Sequence, residues 1–519
     1  MMHKRCRHQE ALWSPKRLVR VVSKSGNGYR LYLDVEAVGS APYVALSHCW
    51  GTSQNFQAVR ANLDGLRAGI PWDILPQTFK DAIIVVDYLG FSLIWIDSLC
   101  IVQDEPADWQ EQSAQMSNIY ENATVTIAAA SAAADVDGFL KPREHVGTMD
   151  LASRGPLRPD RMVHFERAYD HTLEEFRDSQ RERDPLASRA WAFQERLLAS
   201  RAIRFGIHGL SWECGSGSRC ECGSESKEKQ TNLLIQLQKV LSSSNSSKIY
   251  DFWRNFILER YTWGRLTKAS DKLPALSGVA SRVYSRTGDK YIAGLWLSDI
   301  IKGLLWYVPL SVSRTPVVPD SDRAPSFSWA SIEGEISHVS FRTEFTPHVQ
   351  ISVASSLLLT RDPFGQVAGG TLTAHGQLLS AWIFFSPSLQ AEDEKKRCRI
   401  TVRESRPTIE NQPDHLPFFD PDVALEVVRW PADAPEYVSG VKFPHKVVRR
   451  AKSQPSYTKS GWYNCWFLVV GSEAGGTQHG LLLAVSTHHL GAFERLGQLS
   501  IFVAYEKLRG HETREVVVV

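Results

Sequence analysis

From residue 18 to 38 apolar and polar positions alternate, as in LVRVVSKSGNGYRLYLDV, and Gly26-Asn27-Gly28 divides the stretch in two. Period-two alternation around turn residues predicts a β-hairpin. Tyr43 to Leu46 predicts a short strand that ends in a polar, glycine-bounded loop from Ser47 to Thr52. The period then changes. Between Pro76 and Gly90, residues Phe79, Ala82, Ile83, Val86 and Leu89 recur at helical spacing, and Gly90 is placed to end the helix. Leu93-Ile94-Trp95-Ile96 is apolar without interruption up to Asp97, which suits a strand covered on both faces. Asp108 is expected to cap a second helix with Trp109, Gln112, Met116, Ile119 and Tyr120 along one side, and Thr124 to Ala130 predicts another buried strand.

Strands alternating with helices predict an α/β doubly wound sheet, in which polar ligands collect at the carboxyl ends of the strands. Those ends carry Ser47-His48-Cys49-Trp50, Asp97-Ser98, and Ala129 to Ser131. Residues 135 to 185 lose periodicity and read as an insertion or lid. Order returns with a helix after Ser188 and a short strand from Ala202 to Phe205. Residues 215 to 248 read as a polar loop leading into a helical segment from Tyr250 to Tyr261. Residues 272 to 307 mix helical spacing with tryptophan, and the Pro-rich piece from Thr315 to Pro325 resembles a linker or ordered loop. After about residue 337 the texture is strand-like, as in HVQISVA, GGTLTAHGQLLSAWIFF, DVALEVVRW, YNCWFLVVGS and QLSIFVAY. The expected organisation is a hairpin lead-in over 1–40, an α/β domain over 41–210 with an insertion at about 135–187, a mixed, mainly helical extension over 211–336, and an antiparallel β-rich module over 337–519.

A length of 519 residues agrees with several units rather than one core. With 43% hydrophobic and 22% charged residues and a net charge of +2, nothing draws the whole chain to nucleic acid or an anionic membrane. Sixteen tryptophans point to cores or binding surfaces anchored on aromatic rings. The charged N-terminus, broken by Pro15, does not read as a secretory signal, and no apolar run is long enough to span a membrane. The eight scattered cysteines are therefore expected as thiols in the cytoplasm or nucleus.

Three blocks carry a family resemblance: YVALSHCWG from Tyr43 to Gly51, IWIDSLCIVQDEPADWQEQSAQMSNIYENATVTIAAAS from Ile94 to Ser131, and RAWAFQERLLASRAIRFG from Arg189 to Gly206. Their wording and order resemble fungal heterokaryon incompatibility (HET) domains. LPALSGVAS (273–281) and APSFSWASIEGEI (324–336) look like segments that often follow such domains. The resemblance implies an effector of self/non-self recognition that triggers growth arrest or regulated cell death, with self-association or another incompatibility protein as partner. The order of elements also resembles TIR domains, whose sheet is flavodoxin-like. Trp191-Ala-Phe-Gln-Glu195 is similar to the Trp and Glu, four apart, that open the active-site helix in TIR enzymes cleaving NAD.

That resemblance implies Glu195 as the catalytic carboxylate and NAD or a related nucleotide as candidate substrate, with no metal and no tightly bound cofactor. A step of four puts Trp191 and Glu195 on one helix face. Breaking a nicotinamide–ribose bond builds positive charge on the sugar, which one placed carboxylate stabilises. Ser47, His48, Trp50, Gly51, Asp97 and Trp191 are the expected nucleotide-binding residues. Structural roles stay open beside these: a bridge from Glu195 to Arg189 or Arg196, a core anchor in Trp191, a turn cap in Asp97. Adjacent residues on an extended segment point apart, which disfavours a His48–Cys49 nucleophile, and Cys100 reads as a small buried hydrophobe. Cys214, Cys220 and Cys222 with His208 have poor zinc spacing. No phosphate-binding loop of the G-x-x-x-x-G-K-[ST] type is present. Two other functions remain: a non-enzymatic module assembling through residues 109–120 and nearby surfaces, and an accessory protein or enzyme of fungal secondary metabolism.

Overall fold

A computed structural model of the chain describes residues 13–26, 28–34, 41–52, 56–141, 148–149, 163–164, 184–207, 209–221, 233–309, 317–319, 323–385, 398–402, 418–419, 425–429, 445–449, 461–486, 488–502 and 512–519. The chain divides into two compact units, Met1–Ser243 and Ser244–Val519.

The first unit is built on a mixed eight-stranded sheet. Its strands are β1 (Leu18–Ser25), β2 (Gly28–Asp34), β3 (Val44–Ser47), β4 (Leu93–Trp95), β5 (Val125–Ala128), β6 (Arg201–Gly206), β7 (Gly209–Cys214) and β8 (Gly217–Cys220), in the order β8-β7-β6-β5-β3-β4-β1-β2. The four central strands run parallel: Val44 stands beside Ile94 of β4 and Val125 of β5, and Thr126 beside Ala202 of β6. Antiparallel hairpins extend both edges, β1–β2 next to β4 and β7–β8 next to β6. The second hairpin is a departure from the expected loop after residue 215. Within that stretch a further helix, α6 (Leu233–Leu241), also forms.

Successive side chains of a strand point to opposite faces, and β3 is covered on both. The Tyr43 hydroxyl, on the residue preceding β3, donates to the Ile119 carbonyl of α4 (Pro106–Asn122), while His48 stands edge-on to Phe79 of α2 (Gln77–Tyr88), ring centroids 5.2 Å apart. All residues of β3, β4 and β5 are accordingly buried, as their unbroken apolar runs require. Helix α2 buries Phe79, Ala82, Ile83 and Val86 as expected, and leaves Ile84 and Tyr88 outside.

Helix α4 begins two residues before Asp108. Pro106, whose missing N–H costs nothing at the first helical position, starts it. Asp108 sits in the first turn instead, where its carboxylate accepts from Val102 N (2.9 Å) and pairs with Arg17. That network ties the lead into β1 to the helix. Helix α5 (Ala190–Leu198) packs on α4, Trp191 edge-on to Trp109. Two short helices, α1 (Leu63–Ala68) and α3 (Asp97–Cys100), complete the unit.

The second unit opens with α7 (Ser246–Phe252), a π-helical turn at Trp253–Leu258, α8 (Glu259–Trp263) and α9 (Ser277–Thr287). Trp253, Trp296, Trp306 and Trp329 are almost wholly buried here, so the tryptophan richness marks a core. The indole N–H groups of Trp253 and Trp329 both reach the Gly294 carbonyl, at 3.2 and 3.1 Å, and Trp306 donates to Phe327 O at 3.0 Å. Buried Trp needs such acceptors. Both segments 273–281 and 324–336 contribute buried residues to this unit, among them Leu276, Val279, Phe327 and Trp329.

Beyond it lies the expected β-rich region, a nine-stranded sheet of β9 (Phe345–Pro347), β10 (Gln350–Leu358), β11 (Val367–Phe385), β12 (Cys398–Val402), β13 (Phe418–Phe419), β14 (Gly461–Glu473), β15 (Thr477–Val485), β16 (Phe493–Phe502) and β17 (Thr513–Val518). Its pairings are antiparallel apart from a single parallel contact between β16 and β17. Among the described residues, no helix is long and apolar enough to cross a membrane.

Candidate functional site

The carboxyl ends of β3, β4 and β5 gather charged side chains that the apolar strands then bury. Ser47 closes β3, and its hydroxyl donates to the Glu195 carboxylate of α5. The next residue, His48, faces the other way. Its Nε2 lies 3.0 Å from Asp135 Oδ1 and 3.6 Å from Asp97 Oδ1. Asp97, directly after β4, accepts from Trp50 Nε1 (2.8 Å) and from Ser98 N (2.7 Å). One carboxylate therefore holds both the amide that follows it and the tryptophan of the first loop. Tyr120 of α4 donates to the Leu46 carbonyl at 3.0 Å.

His48 and Glu195 are each 1% exposed, and Asp135 is fully buried. Burial is the largest single influence on each. It pushes the Glu195 carboxyl above the ordinary glutamate range, with Arg189 and the Ser47 hydroxyl pulling the other way. Burial likewise raises Asp135, against the pull of His48. For His48, burial lowers proton affinity, but Asp97 and Asp135 together overcome it and leave the imidazole above its usual value. Arg189, just before α5, sees Glu195 and Asp97 as its strongest opposite charges.

Gly51 has a structural task. Its φ of +80° is left-handed, and a Cβ there would collide with the Cβ of Ala134. The glycine ending the first block lets loop 47–52 lie against the loop following β5. That second loop is pinned in turn: Asp81 of α2 accepts from Phe139 N (2.7 Å) and Leu140 N (2.9 Å), and Asp137 from Ala133 N (2.9 Å) and Ala134 N (2.8 Å).

Residues 43–195 match the family model described as Heterokaryon incompatibility protein (HET). The chain carries a HET domain. No curated protein and no solved structure gives a significant match. The HET match starts at Tyr43, the residue before β3, and stops at Glu195 of the polar cluster.

Of the expected site residues in this HET domain, Ser47, His48, Asp97 and Glu195 come together, and Trp50 joins through Asp97. Trp191 packs against Trp109 at a centroid distance of 6.4 Å, which is a core anchor's position. Cys49 turns from His48 into an apolar cluster with Ala128, Leu186 and Ala192, and burial pushes its thiol up to about 11. Cys100 is buried and pushed up to about 12. Neither is a ready thiolate nucleophile. Cys214 and Cys220 stand on the β7–β8 hairpin, while Cys222 and His208 lie outside the described residues.

Asp135 and Tyr120 were not singled out as site residues. Asp135 opens the stretch read as an insertion, yet Asp135, Gly138 and Phe139 are buried, and most of the remaining stretch lies outside the described residues. The signal was Asp135-Val-Asp137-Gly138, an acidic, glycine-ended turn directly after a buried strand. For Tyr120 the helical spacing showed only its buried face.

Proposed function

We propose that this protein is an incompatibility-type effector whose HET domain binds a nucleotide at the carboxyl edge of its parallel strands and cleaves its glycosidic bond through Glu195. The observation that carries this reading is the convergence of three blocks, distant in sequence, on one polar cluster: Ser47 and His48 from the first, Asp97 from the second, Arg189 and Glu195 from the third. The order β4-β3-β5-β6 of the parallel strands supports a doubly wound, flavodoxin-like or TIR-like reading, in which the switch point would lie between β3 and β5. Catalysis needs the ionised carboxylate, and Arg189 opposes the upward push of burial on Glu195. As the C1′–N bond breaks, nicotinamide leaves with the electron pair as a neutral base. The carboxylate stabilises the cationic sugar, and water then adds at C1′ and loses a proton.

A second reading, assembly without catalysis, is favoured by a different observation. Glu195 is closed in by Ser47 and neighbours Arg189, as a structural polar core would be. The apolar side of α4 faces inward, with Gln112, Met116, Ile119 and Tyr120 buried. The exposed apolar residues Ile84, Tyr88 and Leu89 of the α2 end are the better contact surface.

NAD consumption by the purified full chain and by Glu195→Ala, at high protein concentration, separates the readings. Hydrolysis predicts turnover in the parent and a loss of about 10²-fold or more in the variant. Equal, negligible turnover in both leaves assembly, which predicts self-association weakened by Tyr88→Asp.

A further inference from the structure

Outside the HET domain, the β-rich sheet holds a proton relay with the order of groups that activates a serine. His479 of β15 stands directly across from Ser500 of β16, with its Nδ1 2.8 Å from Ser500 Oγ. Across the ring, its Nε2 lies 3.0 Å from Glu473 Oε1. The other oxygen of Glu473 accepts from Arg342 N (2.7 Å) and Thr343 N (3.0 Å), which hold the carboxylate in place.

A carboxylate can only accept, so Nε2 carries a proton, and in the neutral imidazole Nδ1 then keeps its lone pair. Gln498 Nε2 donates to Ser500 Oγ at 2.7 Å, so the serine's own proton is directed to Nδ1. The base is sheltered and the nucleophile open: the His479 and Glu473 side chains are 4% and 11% exposed, while Ser500 is exposed. Phe341 stands edge-on to the imidazole at 5.6 Å between centroids, and Phe345 lies 6.3 Å from it. Phe345 also lines a cavity of about 990 Å³ together with Lys302, Val349 and Ile351. A cross-strand His–Ser pair serving the sheet alone needs neither a carboxylate behind the ring nor an amide steering the hydroxyl.

We propose that Ser500, His479 and Glu473 form an acyl-transfer site for esters of carboxylic acids, with Ser500 as nucleophile, His479 as general base and Glu473 as positioning residue. Ser500 Oγ bonds to the ester carbonyl carbon while its proton passes to His479 Nδ1. Collapse of the tetrahedral adduct breaks the bond to the leaving alcohol, which takes that proton. Water, deprotonated in turn by His479, then attacks the acyl-serine, and the acid departs as Ser500 regains its proton.

The test is labelling of the full chain by a fluorophosphonate probe, with the adduct mapped by mass spectrometry. The expected adduct is on Ser500, absent from Ser500→Ala and formed about 10²–10⁴-fold more slowly in His479→Gln. Glu473→Gln should lower the inactivation rate constant at unchanged probe affinity, and Glu473→Asp should restore part of it, a split that general unfolding does not produce. A parent protein that melts cooperatively yet takes no label at Ser500 overturns the proposal. Undiminished labelling of His479→Gln does so too.

Discussion

In the N-terminal unit, His48, Asp135 and Glu195 are at most 1% exposed and answer one another's charge, with Arg189 and Asp97 completing the balance. In the C-terminal unit, Lys272 is 4% exposed, with its Nζ 5.7 Å from the Tyr261 ring centroid and 5.8 Å from that of Trp329. Burial, reinforced by Arg323, lowers that amine to about 7. The first arrangement keeps several opposed charges where strand ends converge, the kind of place that binds or makes charge. The second keeps one amine with a weakened hold on its proton inside an aromatic core, where rings hold up the fold. Concentrated, mutually dependent charge therefore sets the strand ends of the HET domain apart from the aromatic core around Lys272.

If that contrast is right, removing one member of the charged cluster is the most damaging change. Asp135→Ala leaves His48 buried without its nearest carboxylate and should cost about 3–5 kcal/mol. Urea denaturation that resolves the N-terminal unit measures it. A loss within about 0.5 kcal/mol, the range of an ordinary surface change, would erase the distinction.

The next effect comes from two glycines that serve the two units alike. Gly51 at φ +80° lets two loops touch, and Gly294 at φ +100° lets the backbone meet the Trp329 indole, where a Cβ would lie 2.5 Å from Nε1. Alanine should cost about 2–4 kcal/mol at either site, from left-handed backbone plus overpacking. Gly294→Ala should be the worse, because a buried ring has less room to give than Ala134 in a loop. Thermal melts of both variants check the order. A milder Gly294→Ala would show that the aromatic core yields more readily than the charged one.

These glycines also show what the sequence could reveal. The unbroken apolar runs at Leu93–Ile96 and Thr124–Ala130 and the spacing of Phe79, Ala82, Ile83 and Val86 led directly to β4, β5 and α2, because burial on one face or two dictates them. Ser47, His48 and Asp97 were legible because each closes or closely follows a buried strand at the same edge of the sheet, and Glu195 through the likeness of Trp191 to Glu195 to the start of a TIR helix. Asp135 was not, since a single buried acid in a turn has no period to betray it. Asp108 as a cap was misjudged because Pro106 sets the helix start and frees the carboxylate for Arg17. The β7–β8 hairpin escaped because residues 215–220 are small and polar, without the apolar alternation that marks a strand.

The smallest effect is a slope, and its sign differs between the units. His48, Asp135 and Glu195 all hold protons more tightly when folded than the unfolded chain does. Where the folded state binds the extra proton, stability falls as pH rises, a loss that for His48 begins near its ordinary value of 6.5 and continues through its raised one. Asp108 and Glu213 are held below their ordinary values and act in the opposite sense, but their stabilisation is lost only in acid, outside a window of neutral to mildly basic pH. For Lys272 the unfolded chain binds the extra proton between about 7 and 10.5, so the C-terminal unit gains stability as pH rises through that range. Each proton contributes at most about 1.4 kcal/mol per pH unit. Calorimetry between pH 7.5 and 9, above the range in which the unfolded chain gives up the proton that buried His338 cannot hold, should therefore move one transition down and the other up. Lys272→Met should flatten the rising one while leaving its stability at pH 9 within about 1.5 kcal/mol of the parent, because an amine already neutral there is exchanged for an apolar chain of similar volume. Two transitions that shift in parallel, or a rise that survives Lys272→Met, would mean that the amine is not what sets the second unit apart.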